Sequence, residues 1–431
     1  MHTLFKTSFT KNKFFAIALA VLSTITCHAQ TTIKTTDTKL ASVDYKRLAN
    51  IDTLVNGYIN RNWVKGVVTI IVKDGQVVQY KGYGYADAAA KKPMENNDIF
   101  RIASQTKAIV SAGVLVLYDQ GKLSLGDPVS KYIPEFGHET VLDKFNAADT
   151  TYTTVPAKRD ITIKDLLTHT SGIDYALIGN DTMRAIYGKE NIKSGLGVVD
   201  ADLLTTIKKL GKLPLAFQPG TQWRYGLNID VLGCLIEVIS GMNLEDFLRK
   251  NILEPLGMND TWFNLPAEKA SRLTAVYTED SLNQITLWPK GKMEIDPDYP
   301  KITKHYFSGG AGLSSTAYDY AVFLQMIMNG GGYNGKTILS KRTVAMMLHP
   351  QLDFTFDGKN DFGLGFGITS DKGSADGSRN AGSFSWGGFY GTIYWADPKE
   401  NLICLIMTQQ TPDSHSELFQ QFEQLVYASL K

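Results

Sequence analysis

The stretch Gly66–Asp87, "GVVTIIVKDGQVVQYKGYGYAD", has two β-rich runs on either side of Asp74-Gly75. An Asp-Gly pair flanked by such runs is a strong short-range hairpin signal, because both turn residues must accept positive φ. A similar pattern returns near the other end. "GTIYWADPKENLICLIMTQ", Gly391–Gln409, places two runs around an Asp397-Pro398 turn, and "FGLGFGIT" precedes it at Phe362–Thr369. Between them, from about Ile99 to Met258, the apolar period is mainly helical, with long loops. Amphipathic helices are expected near Tyr45–Asn60 and in "SELFQQFEQLVYASL", Ser416–Leu430. The fold class that follows is α/β of the α+β kind. One antiparallel sheet is built from both chain ends, flanked by terminal helices, with a mainly helical subdomain inserted.

The totals agree with an ordinary globular chain. It has 431 residues, 43% hydrophobic and 20% charged, with formal net charge +1. A near-neutral balance gives no electrostatic footprint for nucleic acid or an anionic membrane surface. Lys6, Lys11 and Lys13 lead into "FFAIALAVL" and then "CHAQ" at Cys27–Gln30. That order reads as an export signal over residues 1–29, cleaved after Ala29, and its apolar run is too short to span a bilayer. Periplasmic or secreted protein is expected; a lipid anchor at Cys27 is the lesser alternative, since "TIT" before it fits such a site poorly. Residues 30–44 read as a flexible leader and 45–431 as one domain. Its sheet subdomain takes about 45–98 and 300–431, its helical subdomain about 99–299. Cys234 and Cys404 both sit in apolar runs and read as small buried hydrophobes. Ser370–Gly382, "SDKGSADGSRNAG", reads as a loop.

"IFRIASQTKAIVSAGVLVLYDQGKL", Ile99–Leu123, raises the question of function. It sets Ser104 and Lys107 at the mouth of an apolar helix, where positions i and i+3 share a face. A serine hydroxyl needs a partner to take its proton, and burial among apolar neighbours favours the neutral amine of a lysine. The helix N-terminus favours negative charge on the serine oxygen. The bland alternative is a capping serine with a solvated lysine, and the pattern has a second copy, Ser8 to Lys11, in the leader. More of the chain favours the reactive reading. "QPGTQWRYGLNIDVLGCLIEVISG" puts Tyr225 in a turn entering a helix, a place for a phenol shared with Ser104 and Lys107. "SFSWGGFYGTIYWADP" opens a strand with Trp386-Gly387-Gly388, where glycines let a substrate approach the backbone. A backbone N–H just beyond, at Phe389, would pair with that of Ser104 to bind an oxyanion.

Taken together, "SQTK", "LLTHTSGID", "YGLNIDVLG", "SGGAGLSSTAYDYAVFLQMIMNGG" and "WGGFYGTIYWADP" resemble the β-lactamase-like serine hydrolases. That superfamily joins class C β-lactamases, DD-peptidases and family VIII esterases. The resemblance runs in order from Tyr45 to the C-terminus. It implies a β-lactamase/transpeptidase-like fold, with Ser104 as acylated nucleophile and Lys107 and Tyr225 as the proton-handling pair. It also implies Trp386–Phe389 as the oxyanion strand. Two departures point away from β-lactams and D-alanyl peptides. Leu227 stands where lactamases have asparagine, with Asn228 one residue later, and both are expected at the substrate. Trp386 stands where a lysine would meet a substrate carboxylate. The "WGG" form is similar to that of family VIII esterases, so neutral esters are the expected substrates. β-Lactams or D-alanyl peptides are the alternative, and a binding module without turnover is the other class.

Other motifs compete less well. "GGGYNGKT", Gly330–Thr337, matches a phosphate-loop pattern but follows a helical run rather than a strand, so no nucleotide partner is expected. "KSG", Lys193–Gly195, imitates the missing lysine motif in the wrong chain order. Ser385 lacks the strand-to-helix context of a nucleophile elbow. His169 reads as a loop-ordering histidine, and no histidine pair has zinc-ligand spacing, so no cofactor or metal is expected.

Overall fold

The computed structural model describes His2 and residues 30–431; the rest of the expected export signal, Cys27 included, lies outside the described residues. The Asp74-Gly75 turn forms as the sequence demands, with φ of 53° and 75°. It joins strands β1 (Gly66–Lys73) and β2 (Gln76–Asp87). Short β3 (Lys92–Pro93) follows, and the chain returns to the sheet with β4 (Asp361–Phe362) and β5 (Gly367–Ile368). Strands β6 (Phe384–Gly388), β7 (Thr392–Asp397) and β8 (Leu402–Met407) complete it. The eight strands lie in the order β4–β5–β6–β7–β8–β1–β2–β3. Two antiparallel meanders are thus joined at one seam, where β1 pairs with β8 and Val68 stands opposite Met407.

Every residue of β1 and β8 is buried, because both faces of the sheet centre are covered. Alternate residues serve two different cores. Val67, Ile71, Cys404 and Ile406 face the terminal helices α1 (Asn50–Asn60) and α5 (Glu417–Ala428). Val68, Ile70, Leu405 and Met407 face the main core. That core holds α2 (Thr106–Asp119), α3 (Asn228–Ser240) and α4 (Ala317–Met328). Thr106 through Leu117 are all buried, so α2 is apolar on every side, as a central helix must be. Cys234 belongs to the main core and Cys404 to the other, both as buried free thiols.

Three local expectations need correction. The leader is tied down: Lys34 donates to the Gly75 carbonyl (2.8 Å) and accepts from Val77 (2.9 Å), while Ile33 is buried. Backbone pairing of this kind leaves no apolar period in the sequence. The helical middle also carries an antiparallel hairpin, Thr140–Asn146 with Thr151–Pro156, whose second strand is wholly exposed. Finally, the Ser370–Gly382 segment contains a short helix, Asp371–Ala375, capped by the Ser370 side chain. Among the described residues no helix is long and apolar enough to cross a membrane.

Candidate active site

Ser104 lies on a single 3₁₀ turn, Ala103–Gln105, that runs directly into α2. Ala103, fully buried, is held at φ 41°, a left-handed conformation that a residue with a Cβ adopts at a cost. The turn is fixed from outside: Tyr320 donates to the Gln105 carbonyl (2.8 Å), and Leu313 N–H donates to Thr106 Oγ1 (3.1 Å). Strand β6 closes on the same turn. A Cβ on Gly388 would fall 2.4 Å from the Ile102 carbonyl oxygen, so only glycine permits this approach. Strand β5 pairs with Phe384 and Ser385 alone, so it leaves the outer edge of Trp386–Gly388 uncovered. Phe389 and Ser104 then share the wall of one small cleft with Tyr175, Leu177, Ile178 and Leu196.

Lys107 is 2% exposed, one turn beyond the serine. Its Nζ is 3.3 Å from Ser104 Oγ, 2.9 Å from the Tyr175 hydroxyl and 2.7 Å from the Gly310 carbonyl oxygen. Three partners around one amine fix its position: Nζ donates to the Tyr175 hydroxyl, the Gly310 carbonyl and Ser104 Oγ. Tyr225 is brought to the same place in a different way. Its ring lies under the lysine, with Nζ 4.4 Å from the ring centre, and its hydroxyl accepts from Trp386 Nε1 (3.3 Å). Sequence reasoning missed Tyr175, although it directly follows the "LLTHTSGID" run quoted above. Burial pushes the Tyr175 phenol well above its ordinary range, and the adjoining Tyr225 adds to this.

An aromatic wall surrounds Tyr225. Trp223 stacks on it at 6.0 Å and Trp386 tilts against it at 5.6 Å, with Phe356 and Phe362 behind. His169 completes the wall from below. Burial, and then the nearby Lys107 charge, hold its imidazole well below the usual value, so it is neutral. Its Nδ1 is 3.0 Å from Asn228 Nδ2, and its carbonyl accepts from Arg224 N–H (2.8 Å), so it orders the loop.

The two residues expected at the substrate beside Tyr225 do not line the cleft. Leu227 and Asn228 are both fully buried, and the Asn228 amide is consumed by His169 and by Ser171 Oγ (2.5 Å). The turn before α3 points them into the core, because α3 packs that face against its neighbours. Arg224 is also committed, through an ion pair with buried Asp174 at 3.3 Å. Of the decoys, "GGGYNGKT" forms a hairpin, Gly332–Tyr333 with Lys336–Thr337, following α4. Ser385 sits mid-strand opposite Trp395. Lys193 turns to Asp200 at 3.8 Å, although its neighbour Ser194 lines the cleft.

Comparison with known proteins agrees with this geometry. The family described as Beta-lactamase matches residues 51–425. Protein Rv1367c of Mycobacterium tuberculosis is 34% identical over 363 residues, covering 81% of this chain and 87% of that protein. Esterase EstB of Burkholderia gladioli is 29% identical over 376 residues, covering 84% of this chain and 90% of its own length. Among solved structures, "EstCE1, a hydrolase with promiscuous acyltransferase activity" superposes with a TM-score of 0.77 at 26% identity, covering 89% of this chain and 99% of that one. With a family match over nearly the whole folded chain and a relative 34% identical across 81% of it, the chain belongs to the Beta-lactamase family of serine hydrolases.

Proposed function

We propose that the protein is an exported esterase that cleaves uncharged carboxylic esters through an acyl-enzyme on Ser104. The observation that carries this reading is the buried Lys107 amine, 3.3 Å from Ser104 Oγ and held by Tyr175 and Gly310. In the proposed sequence Ser104 Oγ attacks the ester carbonyl while its proton passes to Lys107. The Ser104 and Phe389 amides hold the developing oxyanion. Tyr225, whose oxygen already accepts from Trp386, gives its O–H proton to the departing alkoxide and is reprotonated from Lys107. Water then repeats the steps in reverse: it loses a proton to the same pair, attacks the acyl carbon, and returns Ser104. Tyr175 positions the lysine throughout.

The ester preference rests on the cations. Trp386 offers one N–H, already directed at Tyr225, and Arg224 is neutralised by Asp174. A substrate carboxylate placed there would lose hydration without an ion pair, at about 2 kcal/mol or more. The relation to an esterase supports the same choice. A p-nitrophenyl ester is therefore expected to exceed a chromogenic cephalosporin in kcat/KM by at least about thirtyfold, that cost expressed as a ratio. Ring opening must be distinguished from side-chain ester cleavage. Ring opening as efficient as ester turnover would promote the β-lactamase alternative instead.

Export rests on the basic lead and the "CHAQ" run. N-terminal sequencing of material from outside the cytoplasm is expected to begin at Gln30. A lipid-modified Cys27 at the start would replace a soluble enzyme with an anchored one.

A further inference from the structure

Asp230 is the third residue of α3 and is fully buried. Its Oδ1 accepts from Ser308 Oγ at 2.6 Å, and Ser308 in turn accepts from Ala311 N–H at 3.0 Å. Its Oδ2 is buried and takes no hydrogen bond from a side chain among the described residues, and the Gly310 backbone N–H faces the carboxyl. That oxygen lies against Gly310: a Cβ there would fall 2.5 Å from it and 3.3 Å from the Tyr175 hydroxyl. The Gly310 carbonyl is the one that Lys107 Nζ holds at 2.7 Å. A single glycine residue therefore separates a buried carboxyl from the cage around the proposed base.

The surroundings explain why this carboxyl matters. Gly195 approaches from a loop, where a Cβ would fall 3.2 Å from Oδ1. Tyr306 and Ser308 approach from the segment before α4, Tyr175 from the "SGIDY" turn, and Lys107 from α2; Cys234 follows on α3 itself. Among these groups Lys107 is the one able to carry a positive charge. Burial raises the carboxyl above its ordinary range, while the Ser308 bond, the Lys107 charge and the Gly310 backbone N–H act against that rise. The other buried acid of the region, Asp174, is already paired with Arg224.

We propose that Asp230 is a positioning residue for the reaction, the counter-charge that lets Lys107 become an ammonium ion when it takes the Ser104 proton. The proposal rests on the hydrolase reading above. Proton balance is kept within the cluster: Ser104 loses a proton, Lys107 gains it, and Asp230 offsets the new charge through the Gly310 turn without entering a bond to substrate. Without that carboxylate the ammonium is harder to form, so the lysine is a weaker base and stays neutral to lower pH.

The test is the pH profile of kcat/KM for a p-nitrophenyl ester, measured on wild type, Asp230→Asn and Ser308→Ala. Asp230→Asn is expected to move the acid limb about one pH unit lower and to reduce the plateau about tenfold. Ser308→Ala, which only unties the carboxyl, is expected to move the limb the same way by less. An acid limb that stays in place in Asp230→Asn, with only the plateau reduced, would overturn the proposal and leave the residue a packing role. If Asp230→Asn does not fold, an unmoved limb in Ser308→Ala overturns it equally. A wild type that neither turns over esters nor takes a fluorophosphonate label would instead overturn the hydrolase reading, and this inference with it.

Discussion

Ser104→Ala is expected to lower kcat for ester hydrolysis by at least about three orders of magnitude with the fold unchanged. The prediction follows from placement rather than from the motif alone. Ser104 is the hydroxyl on the strained turn, within reach of the Lys107 amine and sharing a cleft wall with Phe389. Alanine removes the only atom proposed to bond the acyl carbon, whereas the fixed points of the turn, Tyr320 on Gln105 and Thr106 on Leu313, remain. Circular dichroism and thermal melting should therefore be unaltered. Intact-mass labelling by a fluorophosphonate should vanish with the hydroxyl. A label that persists, or that maps to Ser194 on the cleft wall, would identify a different nucleophile.

Lys107→Ala is expected to cost about as much, and its chief interest is how it combines with Tyr225→Phe. The lysine and the phenol exchange one proton in the proposed sequence, so removing either disables the same relay. The double variant should then be little slower than Lys107→Ala alone. Losses that multiply would mean the two act on separate steps. Tyr175→Phe provides an internal comparison. It deletes the 2.9 Å partner of the amine but leaves the Ser104 contact, so its loss should be smaller than that of Lys107→Ala. Steady-state kinetics with one activated ester and one alkyl ester checks the set, because an alkyl alkoxide needs the Tyr225 proton more.

Much of this arrangement is legible in the sequence, for identifiable reasons. The Asp74-Gly75 turn is local chemistry, since positive φ at both positions leaves few alternatives to a hairpin. Ser104 and Lys107 are one helical turn apart, so their meeting needs no knowledge of the rest of the fold. Tyr175 is different: it reaches Lys107 across 68 residues, and nothing in its own neighbourhood says that the loop turns inward. Asn228 illustrates the converse error. A polar residue near a reactive tyrosine invites a role at the substrate, yet the pitch of α3 carries it to His169 and Ser171. Asp230 sits in the same helix turn and hides equally well, because a buried acid has no periodic signature.

The seam between β1 and β8 has a consequence for how the chain acquires its structure. Val68 and Met407 are neighbours there, as are Ile70 and Leu405, so the middle of the sheet closes only when nearly all of the polypeptide is present. Contacts so distant along the chain fold slowly, because a long loop must be ordered before they return any stabilisation. During synthesis the β1–β2 hairpin waits with one unpaired, strongly apolar edge, a template for association with other nascent chains. The interval between emergence of residue 73 and residue 407 is thus the vulnerable period, and a holding chaperone would act on that edge.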